Sequence, residues 1–365
     1  MVKRLYFFLL FLIVCFFPGC SFLAQKEQNS TRDFFAMDTY VKMILYGPEA
    51  EKAADALQVE MLRLDRQLSL YSEKSDVSLL HQQLASPALP QVPPLQQADD
   101  PHKEHLMQSH AIQLSEDTAE LLTRSLKLYS ETNGAFDITL SPVSKLWGFP
   151  HGPYRVPDKT EIRTVLVHTG MNAIRWDSRT RRFSTDNPAI TLDFGGIAKG
   201  YAAEKMAEIL KKHNIRHALL NLGGNVKAIG TKPDHSPWRV AIQHPDAKTD
   251  YLGILSVSNL SVVTSGDYER YFEKDKIRYH HILNPRTGAP ARSDLRSVTV
   301  VCEDCTLADG LSTALFVLGP EAAISFWQKD KKRFQFILFT DDNTLYVTKK
   351  LLPVFETKLP VTAVR

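Results

Sequence analysis

Cysteine is scarce in this 365-residue chain, and the patterns that announce zinc or redox chemistry are missing with it. Cys15 and Cys20 lie in an apolar N-terminal stretch, which leaves Cys302 and Cys305 in the body. Their C-x-x-C spacing has no second cysteine pair and no histidine pair nearby at ligand spacing. A local disulfide or two plain thiols is therefore favoured over half a zinc site or a redox pair. A basic run is also absent: 44 Lys and Arg against 41 Asp and Glu leave a formal charge of +3 spread along the chain. Electrostatics supply no reason for a nucleic-acid partner, while anionic small molecules stay open. No period of about 20 to 50 residues repeats, which excludes solenoids and propellers.

What is present begins with Lys3 and Arg4, an apolar stretch from Leu5 to Phe17, and then Pro18, Gly19 and Cys20. That is the pattern of a signal peptide. A membrane-spanning helix needs roughly 20 apolar residues, so a permanent span is the weaker reading. The small residue before Cys20 resembles a bacterial lipobox, in which the cysteine is diacylated and becomes the mature N-terminus; ordinary cleavage or an uncleaved anchor is the alternative. The expected organisation is a signal peptide over 1–20, a polar tether over 21–33, a catalytic body over 34–350 and a C-terminal segment over 351–365. Residues 85–110 collect prolines, glutamines and histidines without periodicity and read as a surface insertion.

Within the body, Thr39 to Tyr46 alternates as a strand, and Ala50 to Leu70 carries Leu57, Met61, Leu64 and Leu68 at helical spacing. Ser115 is a candidate cap for a helix ending near Asn133 and Gly134. Strand-like runs at 189–194, 218–222, 238–243, 252–256, 295–301 and 335–339 alternate with helices at 198–212, 307–318 and 320–328. The expected class is α+β (mixed α/β), one large domain or two intimate subdomains.

Three segments carry candidate chemistry. In TLDFGGIAKGY, from Thr191, an apolar run ends in Asp193, two glycines follow and a helix begins. Unpaired amides and the macrodipole at a helix start attract anions, glycines admit a phosphate to the backbone, and Lys199 adds a cation. The pattern is neither G-x-G-x-x-G nor G-x-x-x-x-G-K-[ST], so the Rossmann and P-loop readings fail, and a purely structural Gly-Gly turn is the alternative. In LADGLSTALFVLG, from Leu307, Asp309, Ser312 and Thr313 share one face of an otherwise apolar helix. A carboxylate and hydroxyls suit a hard cation such as Mg²⁺; a cap at the helix start is the alternative. In YHHILNPRTG, alternation sends His280 and His281 to opposite faces, one toward a cleft as a base and the other toward solvent. NGAFDITLSPVSKLWGF, from Asn133, and NLGGN, from Asn221, are weaker signals with structural roles at least as open.

In this order these blocks, together with FAMDTY at Phe35 and LSLYS at Leu68, resemble the ApbE family of FAD:protein FMN transferases. The resemblance covers nearly all of the body. It implies a flavin cleft between two subdomains, with contacts at Met37, Tyr71, Ala135, Phe136, Asp137, Asp193, Lys199 and Ile282. It also implies Mg²⁺ held by the Gly196 carbonyl, Asp309, Ser312 and Thr313, and His281 as the catalytic base. Expected partners are FAD and acceptor flavoproteins carrying a Ser/Thr-Gly-Ala-Thr-like motif, in membrane redox subunits. The implied place is the bacterial cell envelope, with a lipid anchor at Cys20 on the periplasmic side or cell surface. The chain departs from the family pattern at Asn284, usually Asp; at Asp38, commonly Gly; and in the length of the insertion.

The implied reaction is attack by a threonine hydroxyl on the FMN-side phosphorus of FAD, releasing AMP. One rival is a metal-dependent FAD pyrophosphatase, in which water replaces the threonine. The other is a lipoprotein that binds FAD without chemistry, a reading disfavoured because a mere binder needs neither metal ligands nor a base.

Overall fold

The computed structural model describes residues 29–85 and 111–365. The signal peptide, Cys20, the tether over 21–28 and the insertion over 86–110 lie outside the described residues. No described helix is long and apolar enough to cross a membrane.

The strands in chain order are β1 (Asn29–Ala36), β2 (Thr39–Tyr46), β3 (Ile112–Gln113), β4 (Ile174–Asp177), β5 (Arg182–Thr185), β6 (His217–Leu222), β7 (Asn225–Ile229), β8 (Trp238–His244) and β9 (Ala247–Val257). They continue with β10 (Ser261–Gly266), β11 (Tyr271–Lys274), β12 (Ile277–His280), β13 (Leu295–Cys302), β14 (Gln335–Thr340), β15 (Leu345–Thr348), β16 (Phe355–Glu356) and β17 (Val361–Val364). The helices are α1 (Ala50–Leu68), α2 (Asp76–Leu84), α3 (Glu116–Glu131), α4 (Ser141–Trp147), α5 (Lys159–Leu166), α6 (Ala198–Lys212), α7 (Cys305–Leu318) and α8 (Pro320–Lys329).

Nine strands form one sheet in the order β1-β2-β6-β7-β10-β13-β14-β15-β17, antiparallel except for the β15–β17 pair. Strand alternation divides its side chains between two layers. Val298, Val300, Phe336 and Leu338 face the helices, whereas Val301, Ile337 and Phe339 face the small β16-β9-β8 sheet. A third cluster, around Val143, Trp147, Phe149, Ile162 and Leu283, sits to one side. The mixed class expected from the sequence is the class observed.

Several expectations need correction. Residues 29–33, assigned to the tether, begin an edge strand paired in full register with β2. The 351–365 segment is not separate, because β17 completes the sheet. The 189–194 run does alternate, burying Ile190, Leu192 and Phe194. It nevertheless pairs with no strand: Leu192 N–H donates to His81 Nε2 at 2.8 Å and Asp193 N–H to the Ile138 carbonyl at 2.7 Å. Cys302 and Cys305 are buried free thiols.

Candidate active site

A cleft of about 810 Å³ opens where the three hydrophobic clusters meet. Met37, Tyr71, Ala135, Phe136, Asp137, Asp193, Gly196, Lys199, His281, Ile282, Asp309 and Thr313 all line it. Of the flavin, metal and catalytic residues that the family resemblance implied, Ser312 alone does not.

Its rim is a tight hairpin. Between β1 and β2, Met37 and Asp38 both take positive φ, 49° and 56°, the geometry of a two-residue turn that matches the twist of the flanking strands. Glycine adopts it without strain, which gives Gly at position 38 a physical reason. Here Asp38 is held there by Arg270, whose guanidinium lies 2.8 Å from the carboxylate and 3.2 Å from the Asp38 carbonyl. Tyr71 stands exposed on the same rim, its ring 5.5 Å from that of His151.

The floor joins two segments far apart in sequence. Asp193 accepts from Gly195 N–H at 2.8 Å, which tightens the Gly-Gly turn before α6. Burial raises the Asp193 pKa, opposed by that hydrogen bond and by Lys145, Arg270 and Lys199. Gly196 sits against Phe136 and Thr313: a Cβ there would lie 3.4 Å from the ring and 3.7 Å from the Thr313 hydroxyl. Gly200 is tighter still, since a Cβ would come within 2.3 Å of the Cys305 carbonyl. That close approach lets Asp309 Oδ2 accept from Gly200 N–H at 2.8 Å. Asp309 therefore caps a neighbouring helix; α7 is capped at its own start by Asp304, which accepts from Leu307 N–H at 3.0 Å.

Oxygen donors converge here without cysteine or histidine. The Thr313 hydroxyl faces the cleft, 3.4 Å from Ser265 Oγ, and Asp309 brings a carboxylate. Ser312 is the correction. Its hydroxyl is fully buried, donates to the Asp309 carbonyl at 2.8 Å and bonds Ser265 Oγ at 2.7 Å, so its side chain is engaged behind the wall. Among the described residues no cluster of three or more His, Cys, Asp and Glu side chains forms a metal cage. One carboxylate, one hydroxyl and nearby backbone carbonyls fit a hard cation that keeps waters and takes phosphate oxygens.

His281 and His280 separate as alternation requires, but His280 does not reach solvent. It is buried, donates from Nε2 to the Ala291 carbonyl at 3.0 Å and packs edge-on against Phe316. His281 turns to the cleft, where its Nδ1 meets the Arg270 carbonyl at 3.2 Å. A carbonyl only accepts, so Nδ1 carries the proton and Nε2 keeps a free lone pair. Burial, then the Arg270 charge, hold the His281 pKa down at about 3, so the ring is neutral near pH 7. Asn284 does not act on His281: its side chain accepts from Arg286 N–H at 2.9 Å and shapes the following turn. Trp147 closes that turn by donating to the Gly288 carbonyl at 2.8 Å, which joins LWGF to NPRTG.

Sequence reasoning missed Glu269, Arg270 and Asn225, which also line the cleft. Glu269 is open to the cleft space yet crowded by its walls. That crowding raises its pKa to about 7 despite Lys199 and Arg270, and Asp309 adds to the rise. Glu269 and Arg270 lie in TSGDYER, from Thr264, and Asn225 closes NLGGN; the role of Arg270 depends on a backbone carbonyl, which no side-chain pattern reveals.

Known proteins share this sequence and this fold. A protein named FAD:protein FMN transferase from Haemophilus influenzae is 33% identical over 246 residues, 65% of this chain and 70% of that protein. One of the same name from Escherichia coli K12 is 29% identical over 318 residues, 84% of this chain and 85% of that protein. The crystal structure of the ApbE protein from Thermotoga maritima superposes with a TM-score of 0.75 at 29% identity, covering 88% of this chain and 98% of that one. The apo Pseudomonas stutzeri flavinyl transferase ApbE does so with a TM-score of 0.72 at 30% identity, covering 92% and 95%. The sequence model of the ApbE family matches residues 37–338, from the hairpin tip to the middle of β14. Every residue named on the cleft wall falls inside that match, and this chain belongs to the ApbE family.

Proposed function

We propose that this protein binds FAD in the cleft and transfers its FMN moiety to a threonine hydroxyl of a partner flavoprotein, releasing AMP. The observation that carries the reading is the meeting, in one cleft, of the α6 start, Lys199, the Asp309–Thr313 oxygens and a neutral His281. The names of the relatives support the same substrate and product class.

The Gly195, Ile197, Ala198 and Gly200 amides around the α6 start are already engaged within the protein, so the Lys199 ammonium and the positive end of the helix dipole hold the diphosphate. His281 Nε2 takes the proton from the threonine hydroxyl as its oxygen attacks the FMN-side phosphorus. The new bond is threonine oxygen to phosphorus; the bond broken joins that phosphorus to the bridging oxygen, which leaves with AMP. Gly196, Asp309 and Thr313 would hold Mg²⁺, whose chemistry is to neutralise the diphosphate charge that repels a nucleophile. Acceptors with a Ser/Thr-Gly-Ala-Thr-like motif in membrane redox subunits complete the proposal, with export and acylation of Cys20 placing the enzyme at the envelope membrane.

The test mixes purified protein, FAD, Mg²⁺ and an acceptor domain, and follows flavin fluorescence that survives denaturing electrophoresis. A fluorescent acceptor band that disappears when the acceptor threonine is changed to valine is expected. Rapid release of FMN with no labelled acceptor would replace transfer by hydrolysis, and tight FAD retention without turnover would leave a binding protein. Cys20→Ser should move the protein from the membrane to the soluble fraction.

A further inference from the structure

Asn225 opens β7, directly after Gly223 and Gly224. Its register partner across the sheet is Val263, and that of Lys227 is Ser261, on the face covered by α6 and α7. Lys227 is fully engaged there, since its ammonium bonds Glu204 on α6 at 2.8 Å and the Glu303 carbonyl at 2.9 Å. β7 and α6 run in the same direction, because beyond the Lys227–Glu204 pair Ala207 and Ile229 line one cavity further along both elements. Two residues before Lys227, Asn225 lies on the α6 side of the sheet and lines the same cleft as Gly196, Lys199, Asp309 and Thr313.

Unlike the Lys227 ammonium, the Asn225 side-chain nitrogen has nothing to bond. The residue is 2% exposed, and its Nδ2 is sealed from solvent with no hydrogen-bond partner. Buried polar groups are ordinarily satisfied, and leaving one unsatisfied destabilises the fold, so such a group needs an explanation. Asn225 lines the cleft together with Lys199 of α6 and with Asp309 and Thr313. A helix start favours anions, and an amide nitrogen offers two donors to an anionic oxygen.

We infer that Asn225 recognises the diphosphate: its side-chain amide nitrogen donates to a phosphoryl oxygen of the dinucleotide, in the cleft it shares with Lys199, Asp309 and Thr313. The assignment rests on the reading of this cleft as the FAD site. It makes Asn225 a binding residue whose cost in the free protein is recovered only when an anionic ligand enters.

The test measures dissociation constants for FAD, ADP and riboflavin, together with the thermal midpoint of the ligand-free protein, for the wild type and for Asn225→Leu, Asn225→Ala and Asn225→Asp. Asn225→Leu replaces an unsatisfied amide with an apolar group of similar size, so its ligand-free midpoint should equal or exceed the wild-type value. Its FAD and ADP affinities should fall roughly 10- to 100-fold, while riboflavin, which lacks phosphate, should bind within about twofold of the wild type. Asn225→Asp should weaken FAD binding more than Asn225→Ala does, since it sets a carboxylate against a phosphate. A lower midpoint with equal losses for riboflavin and FAD would make Asn225 a packing residue and overturn the inference. Unchanged ADP binding in Asn225→Leu would also overturn it. If the wild type binds ADP but not FAD, the FAD reading fails and the ADP comparison alone decides for Asn225.

Discussion

The carbonyl of Arg270 holds His281 twice, accepting from its backbone N–H at 3.0 Å and facing its ring Nδ1 at 3.2 Å. The same residue reaches the opposite rim, where its guanidinium grips Asp38. One residue thus sets the tautomer of the proposed base and ties down the hairpin over the cleft.

Replacing His281 by Ala removes the proposed proton acceptor and leaves Lys199, Asp309 and Thr313 in place. Acceptor labelling should drop at least about 100-fold, the usual contribution of a positioned base. FAD binding, followed by flavin fluorescence, should persist. Labelling within tenfold of the wild type would remove His281 from the base role.

Gly200→Ala tests the joint between α6 and α7. The new methyl meets the Cys305 carbonyl at 2.3 Å and Asp309 Cβ at 2.7 Å, so the helices must separate. Overpacking of this kind costs about 1–3 kcal/mol. A lower thermal midpoint and a higher Mg²⁺ concentration for half-maximal transfer are expected together. A variant with the wild-type midpoint and Mg²⁺ requirement would contradict the close packing.

At Asp38 the backbone and the ion pair act in opposite directions. Asp38→Gly relieves a left-handed residue, worth about 1–2 kcal/mol, and loses a half-exposed ion pair worth about 0–1 kcal/mol. Asp38→Ala loses the pair and keeps the strain. In chemical denaturation Gly should therefore be at least as stable as the wild type, and Ala less stable than both; the reverse order would count against a strained turn.

Two histidines, His280 buried and His81 half-buried, set an acid limit. Burial lowers the pKa of His81 to about 4, with Lys145 adding to the effect, and burial likewise lowers His280 to about 4. Protonation of His81 would also remove the acceptor that Leu192 N–H uses. An unfolded histidine titrates near 6.5, so between about pH 4 and 6.5 the unfolded chain binds more protons than the native one. Stability from this source is complete above pH 6.5 and is lost as the pH falls through that window. Thermal midpoints measured from pH 7.5 to 5 should decline below about 6.5, and His81→Asn should flatten part of the decline. A profile unchanged by that substitution would exclude His81.

The helices were legible because their signal is local. For α6 the apolar spacing and the glycines before it give the observed bounds, Ala198–Lys212, and Ser115 caps α3 as its position suggested. β1 was not legible: NSTRDFFA is largely polar, and as an edge strand it is ordered by its ladder to β2. The run before Gly195 showed a genuine alternation but had no strand to meet, because its donors go to Ile138 and His81.

Sequence alone determined the kinds of atoms available to this protein: carboxylate and hydroxyls on one apolar helix, a glycine turn before another, and a histidine ahead of a proline turn. Tertiary structure decided which of them act together. It engaged the Ser312 hydroxyl behind the wall, buried His280, and left Asn225 as an amide without a partner. Periodicity depends on neighbours a few residues apart, whereas the partners of polar atoms depend on strand register and helix contact, which join residues 11 apart at His280 and Ala291, 47 apart at Ser265 and Ser312, and 109 apart across α6 and α7. Gly200 and Asp309 are such a pair.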